Sequence, residues 1–119
     1  MWLDADSLRQ WMCPGDTSVI DVEVNALVGD TFRIDMQTPD GTLLRHMGEY
    51  GVIDPPNMLK FTWQSSATDN HPTLVIVTLV PHDEGCQLTL VHDLLLSEPM
   101  VKMHEGGWTD ILARLAQIV

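Results

Sequence analysis

Apolar and polar residues alternate along most of the chain before Leu95, as they do in strands that bury one face. The alternating segments are SVIDVEVNA, TFRIDMQ, TLLRHMGEYGVI, MLKFTWQS, TLVIVTLVP and CQLTLVHDLL. The residues predicted to lie on the buried face are Ile20, Val22, Val24, Phe32, Ile34, Met36, Leu59, Phe61, Trp63, Leu88, Leu90 and His92. Turn residues separate the segments, so we predict about six antiparallel strands joined by hairpins.

Two of these segments depart from simple alternation. TLVIVTLVP is almost wholly apolar, which predicts a strand that lies inside the sheet and is well covered. TLLRHMGEYGVI contains Gly48 and Gly51, and glycines inside a strand are typical of bulges and bends. We therefore predict that this strand is bent or bulged near those two positions.

The pattern is helical at the two ends of the chain. ADSLRQWM predicts a short helix that Asp4 caps and that Pro14-Gly15 ends. From Ser97, a plausible N-cap, a second helix carries an apolar stripe at helical spacing. The stripe consists of Trp108, Ile111, Leu112, Leu115 and Ile118 or Val119. This long helix is the only predicted element that could cover one face of the sheet, so the fold class is α+β.

Length and charge narrow the classes of function. A chain of 119 residues predicts one domain, residues 1–119. The net charge of −11, with six Lys and Arg, argues against binding nucleic acid or anionic membranes. The N-terminus has acids where a signal peptide carries basic residues, so we expect a cytoplasmic protein. Cys13 and Cys86 lie far apart and are expected to be reduced thiols, with a single disulfide as the alternative.

The sequence contains no evident catalytic or metal-binding motif. None of the five histidines has the spacing of a metal site, and no nucleophile has a partner close in sequence. His92 ends an apolar strand on the face of Leu88 and Leu90, where it is either an acid–base group or a hydrogen-bonded structural histidine. We predict no catalytic residue, no metal and no cofactor.

Taken in order, several segments resemble the family of activators of heat shock protein 90 ATPase, within the START-like (SRPBCC) superfamily. They are LRQWMCPG, VNALVGDTFRIDM, MGEYGVIDPPNMLKFTW, TLVIVTLVPHDEGCQLTLVH and HEGGWTDILARL. The resemblance runs from about Leu3 to Leu115. It implies a helix-grip fold, in which a curved antiparallel sheet of about six strands wraps around the long C-terminal helix. One small departure is Val28-Gly29-Asp30, where the family usually has Val-Gly-Gly.

In many members of this superfamily, the space between helix and sheet holds an apolar ligand. The residues predicted to line such a pocket are Met47, Tyr50, Phe61, Trp63, His92, Trp108 and Leu112. The alternative is that they close-pack as core. The resemblance thus implies a non-catalytic domain that binds an apolar small molecule. The other readings are a chaperone-activator-like module that binds a protein, and an enzyme of the cyclase or hydrolase branch.

The larger departure from the family is at the N-terminus. Family members normally begin with a strand that pairs with the last strand, here CQLTLVHDLL, and this chain starts after that point. Without that first strand, the last strand would have an exposed edge at Cys86 to Leu95. We therefore expect a homodimer or higher oligomer that covers this edge; a truncated start is the alternative explanation. Gly106-Gly107 precedes Trp108, and we expect this glycine pair to allow a close approach of helix and sheet.

Overall fold

A computed structural model gives the architecture, and it describes residues 2–3, 5–13, 17–25, 27–54, 57–82 and 85–118. The elements are α1 (Ala5–Trp11), β1 (Ser18–Val24), β2 (Thr31–Gln37), β3 (Leu43–Asp54), β4 (Met58–Trp63), a 3-10 helix (Ser66–Thr68), β5 (Thr73–His82), β6 (Gly85–Asp93) and α2 (Glu98–Ile118). The strands form one antiparallel sheet in the order β1-β2-β3-β4-β5-β6. This confirms the predicted α+β fold with a six-stranded sheet and a long C-terminal helix.

The alternating pattern places one face of the sheet against the core, as predicted for β2 and β4. Phe32, Ile34 and Met36 are buried on this inner face, and so are Leu59, Phe61 and Trp63 on the same face of β4. The helix α1 adds Leu8 and Trp11 to the same core. The predicted cap Asp4 and the predicted stop at Pro14-Gly15 lie outside the described residues.

The first strand departs from simple alternation. Its register against β2 shifts between Val19 and Asp21, so Ile20 is an extra residue in the ladder. Val19 lies opposite Met36, while Ile20 is 48% exposed. The prediction that Ile20 shares the buried face was therefore wrong, because a bulge reverses the alternation that a regular strand would keep.

The predicted bulge of β3 is confirmed at Gly51, whereas Gly48 marks a close approach of the backbone to its neighbours. The register against β4 shifts between Tyr50 and Val52, which makes Gly51 the bulged residue. At Gly48 the backbone lies so close to its neighbours that a Cβ atom would stand 1.9 Å from the carbonyl oxygen of Thr62 and 2.7 Å from the ring of Phe32. Only glycine fits this position without displacing β4.

The fifth strand has a neighbour on each side, as predicted, but only its inner face is fully covered. Val75 and Val77 are buried, Ile76 on the other face is half-buried, and Val80 is exposed. The prediction of a well-covered strand thus holds for one face only. An apolar strand in a sheet that is covered on one side can still leave part of its outer face open to water.

The last helix begins as predicted. Its first turn is capped by Ser97, whose hydroxyl accepts a hydrogen bond of 3.4 Å from the backbone N–H of Met100. The stripe faces the sheet, with Trp108, Ile111 and Leu115 buried and with Leu112 half-buried. Among the described residues, no helix has both the length and the apolar character needed to cross a bilayer.

The two glycines inside α2 are not equivalent. A Cβ atom on Gly106 would meet nothing within 4 Å, so the expectation of a close approach is wrong for this residue. Gly107 is half-buried beside Trp108, and the requirement for glycine there stays a prediction. The close approach that the structure does contain is at Gly48, on β3.

These contacts predict opposite effects for two glycine-to-alanine substitutions. Gly48→Ala should lower the free energy of unfolding by about 1–3 kcal/mol, the usual range for overpacking a filled site. Gly106→Ala should raise it by about 1 kcal/mol, since alanine is the better helix former and the position is open. Urea denaturation followed by tryptophan fluorescence measures both. A Gly48→Ala variant as stable as the parent chain would contradict the close approach.

Candidate functional site

A chain of hydrogen bonds links α2 to the inner face of the sheet. The indole N–H of Trp108 donates to Nδ1 of His92 over 2.9 Å. Because indole can only donate, Nδ1 must be the accepting nitrogen, and the ring proton of a neutral His92 lies on Nε2. That nitrogen is 2.6 Å from the hydroxyl oxygen of Thr73, whose own proton points to the carbonyl oxygen of Trp63, also at 2.6 Å. Every donor in this relay has one acceptor.

The register of the sheet explains why these residues meet. Trp63 lies directly opposite Thr73 across β4 and β5, and Val75, two residues further along β5, lies opposite His92 on β6. His92 and Thr73 therefore point from neighbouring strands to the same inner face. The helix α2 then places Trp108 over His92.

His92 is neutral at pH 7, because burial and, to a smaller extent, the nearby ring of His104 lower its pKa to about 4. The two imidazoles meet edge to face, with centroids 4.9 Å apart. The Nδ1–H of His104 donates to the carbonyl oxygen of Met100 over 2.8 Å. Since both nitrogens of His92 are engaged, the structural reading of this histidine fits better than the acid–base reading.

A further histidine, His46, is buried on the inner face of β3. Its ring lies against Trp63 with centroids 4.9 Å apart, and its Nδ1 has no hydrogen-bond partner among the described residues. Burial lowers the pKa of His46 to about 4. His46 lies four positions before Tyr50 on β3, and residues an even number of positions apart share a face of a strand. This spacing could have placed His46 inward with Tyr50.

Most of the predicted pocket residues meet in one aromatic cluster. Trp63 contacts Phe61 and Trp108, with ring centroids 6.3 and 5.1 Å away, and Tyr50 contacts Phe61 at 6.4 Å. The inner cavity beside this cluster measures about 10 Å³, no more than one water molecule needs. Tyr50, Phe61 and Trp63 are buried here and close-pack as core.

The remaining predicted residues lie elsewhere. Met47 is 40% exposed on the outer face of the sheet, and the structure does not bring it to the cluster. His92 and Leu112 are half-buried where β6 meets α2. Leu88 and Leu90 lie on the inner face of β6 beside His92 and are also half-buried. We call these four residues, His92, Leu112, Leu88 and Leu90, the β6–α2 margin.

Potential metal ligands and thiols do not converge at this site. Within the described ranges, no three His, Cys, Asp or Glu side chains come together as they would around a metal ion. Cys13 is a buried free thiol at the end of α1, and its sulfur accepts a hydrogen bond of 2.8 Å from Nη1 of Arg114 on α2. The side chain of Cys86 lies outside the described residues.

Comparisons with known proteins agree with this architecture. The family model described as Activator of Hsp90 ATPase homolog 1-like protein matches residues 1–119. A solved protein from Chromobacterium violaceum is 22% identical with a TM-score of 0.86, over 99% of this chain and 83% of that one. The AHSA1 protein from Silicibacter pomeroyi is 26% identical with a TM-score of 0.83, over 98% and 83%. No curated protein sequence matches the chain.

The solution structure of an AHSA1-like protein from Aeromonas hydrophila is also similar. It is 21% identical with a TM-score of 0.76, and the alignment covers 95% of this chain and 75% of that one. At these identities the likeness concerns the fold, and it supports the helix-grip arrangement of sheet and C-terminal helix.

His46 and His92 predict a loss of stability in mild acid. Their folded-state pKa values, about 4, lie below the ordinary 6.5, so the unfolded chain takes up protons first. Stability that is present above the ordinary pKa should fall as the pH drops towards the folded-state pKa. We expect a loss of about 1–2 kcal/mol per histidine between pH 7 and pH 5.

Urea denaturation at several pH values measures this loss. His46→Phe keeps a ring against Trp63 but removes one titrating group, so its stability should fall less steeply with acid. His71→Gln, at an exposed histidine, is the matched control and should follow the parent chain. An unchanged slope in His46→Phe would show that burial of His46 does not drive the acid response.

Proposed function

Because the chain belongs to the family of Activator of Hsp90 ATPase homolog 1-like proteins, we propose that it is a non-catalytic domain that binds an apolar small molecule at the β6–α2 margin. The observation that carries this proposal is the incomplete cover of inward-facing leucines. Leu88, Leu90 and Leu112 pack against the core, yet each stays partly exposed. A ligand that lies over them would remove apolar surface from water.

The contact between Trp108 and His92 brings these leucines near one place. One helical turn beyond Trp108 is Leu112, a rise of about 6 Å. Two residues before His92 is Leu90, about 7 Å away along the strand. Leu112 and Leu90 thus both lie close to the Trp108–His92 contact.

The relay beside this margin favours an apolar, unreactive ligand. Trp108, His92 and Thr73 satisfy one another, so they offer no free donor or acceptor to a polar ligand. A bound molecule would meet the edges of the Trp108 and His92 rings and the leucine side chains. The same argument supports a role in binding instead of catalysis, since His92 would have to break the relay to move a proton.

A second candidate function is a chaperone-activator-like module that binds a protein. It is favoured by apolar side chains that stay exposed between β6 and the first turns of α2. They are Leu94, Leu96, Val101 and Met103. Leu94 also has a φ of 65°, a backbone conformation that leucine rarely adopts and that often occurs at functional sites. A protein partner would bury these side chains.

A neutral apolar fluorescent probe, N-phenyl-1-naphthylamine, tests the ligand proposal. We expect saturable binding that Leu90→Gln weakens about tenfold, as expected for losing part of one leucine contact. Met47→Gln is the matched control on the other face of the sheet and should bind the probe like the parent chain. Equal affinity in the parent and Leu90→Gln chains would contradict binding at the margin. Native mass spectrometry of protein from its own host then separates a bound small molecule from a protein partner.

We also propose that a second copy of the chain covers the edge at Cys86 to Leu95. The strand β6 is the last of the sheet, and its register with β5 is continuous from end to end. It contains no proline, lysine or bulge, which are the usual features that protect an edge strand from pairing. Two copies could pair their β6 strands across a two-fold axis.

Sedimentation analysis at micromolar concentration tests this assembly. We expect the parent chain to be a dimer or larger, and Val91→Lys, which puts a charge on the edge strand, to shift it towards monomer. Val80→Lys is the matched control, because Val80 is similarly exposed but lies on β5. A monodisperse monomer of the parent chain would reject the proposal.

A further inference from the structure

A depression lies on the outer face of the sheet, away from α2. Its volume is about 500 Å³, compared with about 10 Å³ for the inner cavity. We call it the outer groove. Its lining includes Glu23, Phe32, Arg33, Met47, Glu49 and Gln64. This groove is separate from the inner cavity, which lies beside Trp2, Leu8 and Met12.

The strand register explains the shape of the groove. Glu23, Arg33, Met47 and Gln64 form one row across the first four strands, because each lies opposite the next. Thr31, Glu49 and Thr62 border the other side of the groove. Gly48 lies between these two borders and has no side chain.

The backbone ladder between β3 and β4 is also interrupted at this point. The N–H of Glu49 donates to the side-chain oxygen of Thr62 over 2.8 Å. Main-chain pairing returns at Met47 and Gln64, which exchange hydrogen bonds of 2.8 and 2.9 Å. The groove lies over this irregularity, and most of its lining belongs to the strands of the sheet.

The groove has an apolar part. The ring of Phe32 lies against Gly48 and forms part of the lining, although most of the ring is buried in the core. Met47 is 40% exposed beside it, and Pro72 adds a further apolar surface. Methionine adapts its shape to apolar and aromatic groups of different outline. A ligand with an apolar body can therefore be held here.

The charged lining favours a positive ligand. The guanidinium of Arg33 donates to Asp35, which is buried, and to Asp21 over 2.9 Å, so its charge is already matched. Glu23 reaches the same guanidinium only at 3.4 Å and is mostly exposed. The carboxylate of Glu49 makes no ion pair with a described residue. It therefore faces the groove without a cationic partner, while Glu23 has one long contact, to Arg33.

We propose that the outer groove binds a small organic cation, an ammonium group on an apolar body. The body lies on Met47 and the edge of Phe32, and the ammonium lies between Glu23 and Glu49. The site is on the opposite face of the sheet from the β6–α2 margin, so it goes beyond the function proposed above. Anionic molecules of the same shape are excluded by the two carboxylates.

Titration of the 15N-labelled chain with phenethylammonium tests the site, with 3-phenylpropionate as the anionic counterpart of similar shape. The cation should shift the amide signals of Met47, Gly48 and Glu49 in a saturable way at millimolar concentration, and added salt should weaken it. Glu49→Gln should raise the dissociation constant about three- to fivefold, the effect of one exposed ion pair. Glu105→Gln, at an exposed acid on α2, is the matched control and should not change it.

Two results would overturn the proposal. One is the absence of saturable shifts at these amides; the other is equal binding of the cation and the anion. The test is independent of the proposed function, because Met47→Gln should weaken binding of the cation and leave the neutral probe unaffected. Leu90→Gln should do the reverse. Failure of one site therefore leaves the other site standing.

Discussion

The hydrogen-bond relay from Trp108 through His92 and Thr73 to the carbonyl of Trp63 fixes the position of α2 on the sheet. Buried polar groups are costly unless each has a partner, and leaving one unsatisfied costs about 1–3 kcal/mol. A sliding or rotation of α2 would separate Trp108 from His92 and leave both in that state. The relay thus gives one defined helix position to a core that is otherwise held by non-directional apolar contacts.

The aromatic cluster around Trp63 restricts where this domain can bind a ligand. Phe32, Phe61 and Trp108 surround that ring and leave almost no space inside. Gly48 is part of the same arrangement, because the ring of Phe32 takes the place of its side chain. The β6–α2 margin and the outer groove are two places in the described part of the chain where the cover of the sheet is incomplete.

Much of the fold could be predicted from alternation, and the errors have one physical origin. A bulge reverses which face a residue occupies, and its position cannot be read from the pattern alone. Ile20 was placed inside because the bulge in β1 has no glycine to mark it. Met47 and Tyr50 are three positions apart, so they share a face only if a bulge lies between them. The bulge of β3 lies at Gly51, after both residues, so they face opposite sides of the sheet.

The site was harder to predict than the fold. His92 and Trp108 could be assigned to inner faces from periodicity, but their hydrogen bond depends on how β6 and α2 meet in three dimensions. Thr73 gives no signal in the sequence, since a threonine at the start of a strand is ordinary. His46 has no distinguishing signal in the sequence other than its spacing of four positions from Tyr50, and its neighbours Arg45 and Met47 face outwards.

The protonation state of His92 tests the central claim most directly. The 15N shifts and long-range couplings of its imidazole at neutral pH report which nitrogen holds the proton. The relay predicts a neutral ring that is protonated on Nε2, with Nδ1 as acceptor, and a pKa near 4 in the folded chain. A proton on Nδ1, or titration near the ordinary value of 6.5, would contradict the relay.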